Sequence, residues 1–432
     1  MRILVLGAYG MIGSAVLCRL NQDGHTLVAA GRAIAEPARR FPFARWVAAD
    51  FHRLLTPEAW LPLLEGIDAV VNCVGAFQSG TRDRLELIHV AAPVALFTAC
   101  ERAGVRRLVH VSAAGAEADS ATEFMRGKAA AESALQRTAL EWLILCPGLV
   151  FAPGVYGGSA LLFGLAGFPL CTPLIASERP IHIVAVEDVA ETVAWAMQPQ
   201  PPARLKLELV HPQPLELRDI VRRLRRWLGF TARLDVVVPS ALASVIGGFA
   251  DGLGWLGWRS PARTTGFAQL AAGVPGDPTI WMRATGIVPR SFDDILAARP
   301  STVQDRWFAR LYLLKPLTIA GLAAFWIVTG ALALGPAYPA ALGHLAAAGF
   351  GVALAKFTVV AGAIFDIVLG LLLLWRRLAK PVLVTMLVVT VGYVLAGTLI
   401  EPTLWFDPLG PLTKIVPMVL ATLLLLSMIE ER

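Results

Sequence analysis

Charge is what this sequence has least of. Acidic and basic side chains make up 16% of its 432 residues, against 56% hydrophobic ones, an apolar balance for a water-soluble protein. The shortage is uneven. Charged residues run through the chain as far as Arg310 and then become scarce. One uniform globule does not explain that shift; a soluble domain followed by a membrane domain does. Cysteine is sparse as well. The five thiols, Cys18, Cys73, Cys100, Cys146 and Cys171, are scattered, odd in number and without a C-x-x-C pair. That argues against a disulfide framework and a metal site, and for reduced thiols in a cytosolic domain. A cleavable signal peptide is not expected either, since the apolar run Ile3–Leu6 is short and leads straight into glycines. The formal charge of +6 is read as the cytoplasmic Arg and Lys excess that sets membrane topology, not as a nucleic-acid footprint.

What is present starts at the N-terminus. Residues 2–6, Arg-Ile-Leu-Val-Leu, form a short apolar run without alternation, the pattern of a buried parallel strand. Gly7-Ala8-Tyr9-Gly10-Met11-Ile12-Gly13 follows and opens a helical stretch. Glycines at G-x-x-G-x-x-G spacing turn the chain sharply, let a pyrophosphate approach bare backbone and pack helix on strand, while the helix start offers free N–H groups. The second strand, Thr26 to Ala30, ends in Gly31-Arg32 with no Asp or Glu to hold a ribose 2′-hydroxyl. Arg32, with Arg39 or Arg40 nearby, suits a 2′-phosphate instead, so NADP(H) is favoured over NAD(H). Asp50 and Phe51 end a third strand where an adenine edge is expected. Cys73-Val74-Gly75 ends a fourth in a small-residue loop, and Ser112 ends a fifth. Alternating strands and helices predict an α/β doubly wound parallel sheet, with ligands at the strand C-termini.

These residues resemble the short-chain dehydrogenase/reductase superfamily, nearest its extended and atypical branches, which include epimerase-like proteins and an accessory subunit of respiratory complex I. The resemblance covers roughly residues 1–300 and is strongest in the first 150. It implies a Ser…Tyr-x-x-x-Lys arrangement, in which tyrosine exchanges a proton with substrate oxygen and lysine holds the nicotinamide ribose. Ser112 and Lys128 fit, but Phe124 stands at the tyrosine position. Phenylalanine has no proton to give, so ordinary carbonyl reduction is expected to be crippled. Tyr156 is the one nearby phenol to propose as a substitute. Cys146-Pro147-Gly148 resembles the family's Arg-Pro-Gly turn near the nicotinamide, with cysteine replacing arginine. His182 is read as a structural histidine.

Beyond residue 200, Glu216–Leu228 reads as an amphipathic helix, with Leu217, Ile220, Val221, Leu224 and Leu228 on one face and an arginine row off it. That row is either solvated or set against anionic headgroups. Ala241–Trp258, Gly- and Trp-rich with one charge at Asp251, is open between a substrate lid, an interfacial helix and a core segment. Four apolar stretches follow: Leu317–Leu334, Phe357–Trp375, Pro381–Ile400 and the shorter Ile415–Met428, which Pro411, Leu412 and Lys414 are expected to extend. Arg306, Arg310 and Lys315 precede the first, and Arg376, Arg377 and Lys380 fill the second connection. Both termini are therefore expected inside, in a multi-pass protein of the inner (cytoplasmic) membrane. Asp366, mid-span, is expected to pair with a polar group on another helix or with a ligand. Short loops, this acid and Leu404-Trp405-Phe406 resemble a DoxX-like four-helix membrane domain, a family associated with membrane redox and quinone-linked systems.

The expected organisation is a dinucleotide-binding domain over 1–300 (core 1–150, substrate or lid segment 151–300), a linker over 301–316 and a membrane domain over 317–428. The leading expectation is a membrane-anchored NADPH-binding oxidoreductase that passes hydride to a quinone or other apolar acceptor. The alternative is a non-catalytic sensor or assembly subunit whose cofactor is structural. Membrane lipid is an expected partner and nucleic acid is not; a place in a redox complex or a homo-oligomer stays open. A transporter is disfavoured, because four short spans carry one buried carboxylate.

Overall fold

The computed structural model describes residues 1–80, 83–152, 157–175, 179–199, 202–258, 262–408 and 410–429. Its contacts divide the chain into two units. Met1–Asp251 with Ser260–Ala309 form one; Gly252–Arg259 with Arg310–Arg432 form the other.

The first unit is built on a parallel sheet. Strands β1 (Arg2–Leu6), β2 (Thr26–Gly31), β3 (Arg45–Ala48), β4 (Ala69–Asn72), β5 (Arg107–Val111) and β6 (Glu141–Pro147), with Leu205–Leu209, lie in the order Leu205–Leu209, β6, β5, β4, β1, β2, β3. Every pairing is parallel. Alternate residues of β1 enter opposite cores, as a strand's two-residue period requires. Ile3 and Val5 pack with Val16, Leu17 and Val189, and Leu4 and Leu6 with Trp60, Leu96 and Phe97. Both faces of the sheet are therefore covered by helices, which is why its strands read as continuous apolar runs. From β1 the chain steps outward to β2 and β3, then crosses back to β4. The strand order thus reverses between β1 and β4, where doubly wound sheets leave a ligand crevice.

Helix Leu217–Trp227 buries Leu217, Ile220, Val221 and Leu224, as its periodicity predicts. Its arginine row is largely engaged within the unit. Arg222 pairs with Asp235 at 2.7 Å and Arg223 with Asp293 at 2.7 Å. Arg225 is buried and donates to the carbonyls of Thr231 and Ala166, both at 2.7 Å. Its guanidinium satisfies end carbonyls of helix Gly157–Gly167, a role that suits a cation.

The second unit is helical. Val303–Leu334, Val352–Leu373 and Ala379–Ile400 are long and apolar enough to cross a membrane. The expected linker over 301–316 lies largely inside the first of these, a 32-residue helix that carries Arg306, Arg310 and Lys315 in its early turns. The fourth apolar stretch, Ile415–Met428, is a helix of 14 residues. At 1.5 Å per residue it extends about 21 Å, against about 30 Å of hydrocarbon. Residues 411–414, expected to lengthen it, form a turn. A further short helix, Tyr338–Ala347, occupies the first connection. Close packing rests on glycine: a Cβ on Gly330 would stand 2.4 Å from the Ala363 carbonyl oxygen, and one on Gly370 2.6 Å from Ile327. Asp366 accepts a hydrogen bond from Tyr393 of the neighbouring span at 2.8 Å, the interhelical partner its position calls for.

Residues 252–258, expected within the dinucleotide-binding domain, pack in this second unit. Trp258 Nε1 donates to the Leu374 carbonyl at 2.6 Å, and the Arg376 N–H donates to that of Leu256 at 3.1 Å. The Arg376 guanidinium lies 5.5 Å over the Trp258 ring and donates to the Ile429 carbonyl at 2.7 Å.

Candidate functional site

The crevice between β1 and β4 opens on the glycine loop. Gly7 sits at φ +72°, and a Cβ there would lie 3.1 Å from the Cys73 and Val74 atoms of the facing loop. A Cβ on Gly13 would fall 2.1 Å from the Gly7 carbonyl oxygen. Both glycines are therefore required by close approach, one of loop to loop and one of helix to loop. Gly10 caps helix Met11–Gln22 without a side-chain bond, and no acidic residue occupies its first turn. The N–H groups of Met11 and Ile12 thus begin a 12-residue helix whose positive end is free of carboxylates. This cradle fits a dinucleotide pyrophosphate.

The other wall comes from helix Glu123–Gln136, which buries Lys128. Its Nζ donates to the Val111 carbonyl at 2.7 Å, and a Cβ on Gly75 would stand 3.7 Å from it. Burial pushes the Lys128 ammonium down to about 8. Beside it lies His89, placed by a π-helical turn over Leu87–Ala91, a distortion that recurs at functional sites. His89 Nε2 is 2.7 Å from the Ala76 carbonyl. Burial, with the Lys128 charge next, pushes the His89 imidazole down to about 3, so it is neutral at pH 7. Phe124 packs edge-on against Phe77 and His89, with centroids 5.2 and 5.4 Å away. The position where a phenol was sought is an apolar aromatic wall.

Ser112 is turned elsewhere. Its hydroxyl donates to the buried Glu132 carboxylate, which also pairs with Lys206 at 2.7 Å and accepts from the Cys146 thiol at 3.6 Å. Asn72 accepts from the Val74 N–H at 3.1 Å and touches His110 Nδ1 at 3.2 Å, fixing the loop that carries Cys73, Val74 and Gly75. Burial pushes the Cys73 thiol up to about 12, so it stays protonated. The Pro147 carbonyl accepts from the Ala114 N–H at 3.0 Å, bringing that turn beside the end of β5.

Just past the end of β2, Arg32 pairs with Asp83 at 2.8 Å. The Tyr9 ring closes over Gly31, where a Cβ would come within 2.2 Å of it, and stacks with Trp46. Asp50 accepts from the His52 N–H at 3.1 Å, while the Phe51 ring is buried edge-on to Trp60. His182 is held by the His211 carbonyl at 2.8 Å, as a structural histidine would be. Tyr156 lies outside the described residues. Sequence reasoning missed Asn72, Phe77, Asp83, His89 and Glu132. Glu132 alone had a signal: four residues after Lys128, it shares that helix face.

Residues 7–154 match the NAD(P)H-binding family and residues 323–423 the DoxX-like family. The chain joins an NAD(P)H-binding Rossmann domain to a DoxX-like domain. The glycine loop accordingly belongs to a domain for a nicotinamide dinucleotide, and the three long apolar helices belong to a membrane protein. The photosystem II assembly factor Ycf39 of Synechocystis sp. is 25% identical over 266 residues, covering 59% of this chain and 76% of that protein. The ceramide reductase of Caulobacter vibrioides is 26% identical over 199 residues, covering 46% of this chain and 61% of that protein. Among solved structures, Bordetella bronchiseptica WbmG in complex with NAD and UDP aligns with TM-score 0.54 at 16% identity, over 72% of this chain and 96% of its own. A nucleoside-diphosphate-sugar epimerase from Pseudomonas aeruginosa aligns with TM-score 0.51 at 18% identity, over 69% and 95%. These two structures share the fold.

Proposed function

We propose that this chain is a membrane-anchored, NADPH-dependent oxidoreductase that delivers hydride to an apolar, quinone-like acceptor. The observation that carries the reading is the pairing of a buried Lys128 with an apolar ring at position 124. The glycine loop would hold the pyrophosphate and Lys128 the ribose, while Phe124 donates no proton. When bound, the nicotinamide supplies the hydride. Reducing a ketone needs a proton at the oxygen as hydride arrives, and a missing acid typically costs a factor of ~10²–10⁴. A quinone becomes aromatic on reduction and takes its proton from water, so the loss matters less. Phe77, Phe124 and neutral His89 offer such a ring an apolar wall. Arg32, with no acid at the end of β2, favours a 2′-phosphate, which would compete with Asp83 for the guanidinium. Ser112, spent on Glu132, serves as a support for helix Glu123–Gln136 and not as a proton donor. The nucleotide domain and both termini face the cytoplasm, by the basic flanks at Arg306, Arg310, Lys315, Arg376, Arg377 and Lys380.

A second reading, a nucleotide-binding assembly subunit, is favoured by the same Phe124 and by the name of the Synechocystis relative. One experiment separates them. The full chain in proteoliposomes is titrated with NADPH and NADH and then offered a soluble quinone. NADPH-preferring binding with turnover that Lys128→Met abolishes supports the enzyme. Tight binding without turnover by any acceptor, together with ketone reduction gained by Phe124→Tyr, overturns it in favour of the second reading.

A further inference from the structure

Helix Ser240–Trp255 is built inside out. Its buried positions are Ala243, Gly247, Ala250 and Gly254, a seam of small residues at four-three-four spacing. Gly247 faces Phe267 so closely that a Cβ there would lie 3.0 Å from the ring. Its outward positions are large and apolar: Leu242 is 51% exposed, Val245 68%, Phe249 60% and Trp255 64%, with Ile246 between them. A helix on a water-facing surface turns its large apolar side chains inward and its polar ones outward. Here the order is reversed. The helix's charged residue, Asp251, is engaged by Arg263 at 2.6 Å.

Exposed apolar residues also precede the helix in the chain. The strand Asp235–Val238, which precedes the helix, leaves Val236 and Val237 exposed, and Leu234 beside it is 78% exposed. Large apolar side chains exposed in a cluster along one helix face mark an interaction site. What covers it is indicated by where the helix leads. Its last turn and the residues up to Trp258 group with the membrane unit, where Trp258 is hydrogen-bonded to Leu374 at the end of a span. The stripe therefore lies on a helix whose last turn runs directly into the membrane unit. Large apolar side chains with a tryptophan at the end are what the headgroup–acyl boundary of a bilayer accommodates.

We infer that Ser240–Trp255 is an interfacial helix, with Leu242, Val245, Ile246, Phe249 and Trp255 sunk into the headgroup–acyl boundary of the bilayer. The partner is the lipid surface itself. This helix is then a membrane contact additional to the spans, and this holds whichever reading of the active site is right.

The test places the photoreactive residue p-benzoylphenylalanine at position 245, 249 or 65 of the full chain in phosphatidylethanolamine–phosphatidylglycerol proteoliposomes. Glu65 is exposed and lies outside the stripe. After irradiation, mass spectrometry should find lipid adducts at 245 and 249 several-fold above those at 65. Chain-to-chain adducts at 245 and 249 would overturn the inference and make the face a self-association surface. Adducts no more frequent than at 65 would overturn it too, leaving the stripe in water.

Discussion

Lys128 keeps its ammonium where charge is penalised, and the penalty has a pH signature. The unfolded chain holds that proton to about pH 10.5, the folded chain only to about 8. Below pH 8 both states are charged and the burial cost is felt in full. Between pH 8 and 10.5 the folded state releases the proton first, so the unfolded state binds more protons and stability rises with pH. The shift corresponds to a cost on the order of 3 kcal/mol at pH 7. Lys128→Met should therefore melt higher than wild type at pH 7, with the difference shrinking through pH 8–10.5. Thermal melts of both proteins in detergent across that range check it; a variant that melts lower at pH 7 would show the ammonium to be well solvated in the fold. A residue kept at such a cost is a functional candidate on physical grounds. Its identity was legible because Lys128 stands at a fixed distance from position 124. Its neighbours were not. His89 depends on a π-helical turn with no sequence signature, and Asp83 meets Arg32 across 51 residues of chain.

Elements were legible where local pattern and tertiary burial agree. The strand–glycine–helix start is one such place, because its spacing is itself the geometry that Gly7 and Gly13 enforce. In the membrane domain, apolar length located the spans but not their packing. That packing depends on small residues, since lipid supplies no hydrophobic drive between helices. Gly330 meets the second span where a Cβ would overlap the Ala363 carbonyl. Gly330→Val should push Val303–Leu334 away from Val352–Leu373, costing about 1–3 kcal/mol by overpacking. A lowered melting temperature in detergent checks this, with Gly343→Val as a control, since a Cβ on Gly343 meets open space. Equal melting of the two variants would mean that the first two spans part without penalty. For the short Ile415–Met428, composition located the helix but could not register the turn at 411–414 that precedes it.

At the scale of the whole molecule, the proposed sidedness rests on the basic flanks. Arg376 ties the second connection to residue 429 through the Ile429 carbonyl, so the connection and the end of the last helix share one face of the bundle. An impermeant maleimide applied to intact cells should label Gly349→Cys, in the first connection, and spare Arg377→Cys, in the second. The opposite pattern would place the nucleotide domain away from cytosolic NADPH and sink the proposed function.

The excursion of residues 252–258 into the membrane unit has a practical corollary. The chain passes between the two units three times, near residues 251, 260 and 309. No single scission can part them. A fragment ending before Arg310 would carry away Leu256 and Trp258 while leaving behind the Leu374 carbonyl and Arg376 amide that satisfy them. Such a truncation is a torn piece with an adhesive edge, and nucleotide binding by this protein is to be measured on the intact chain.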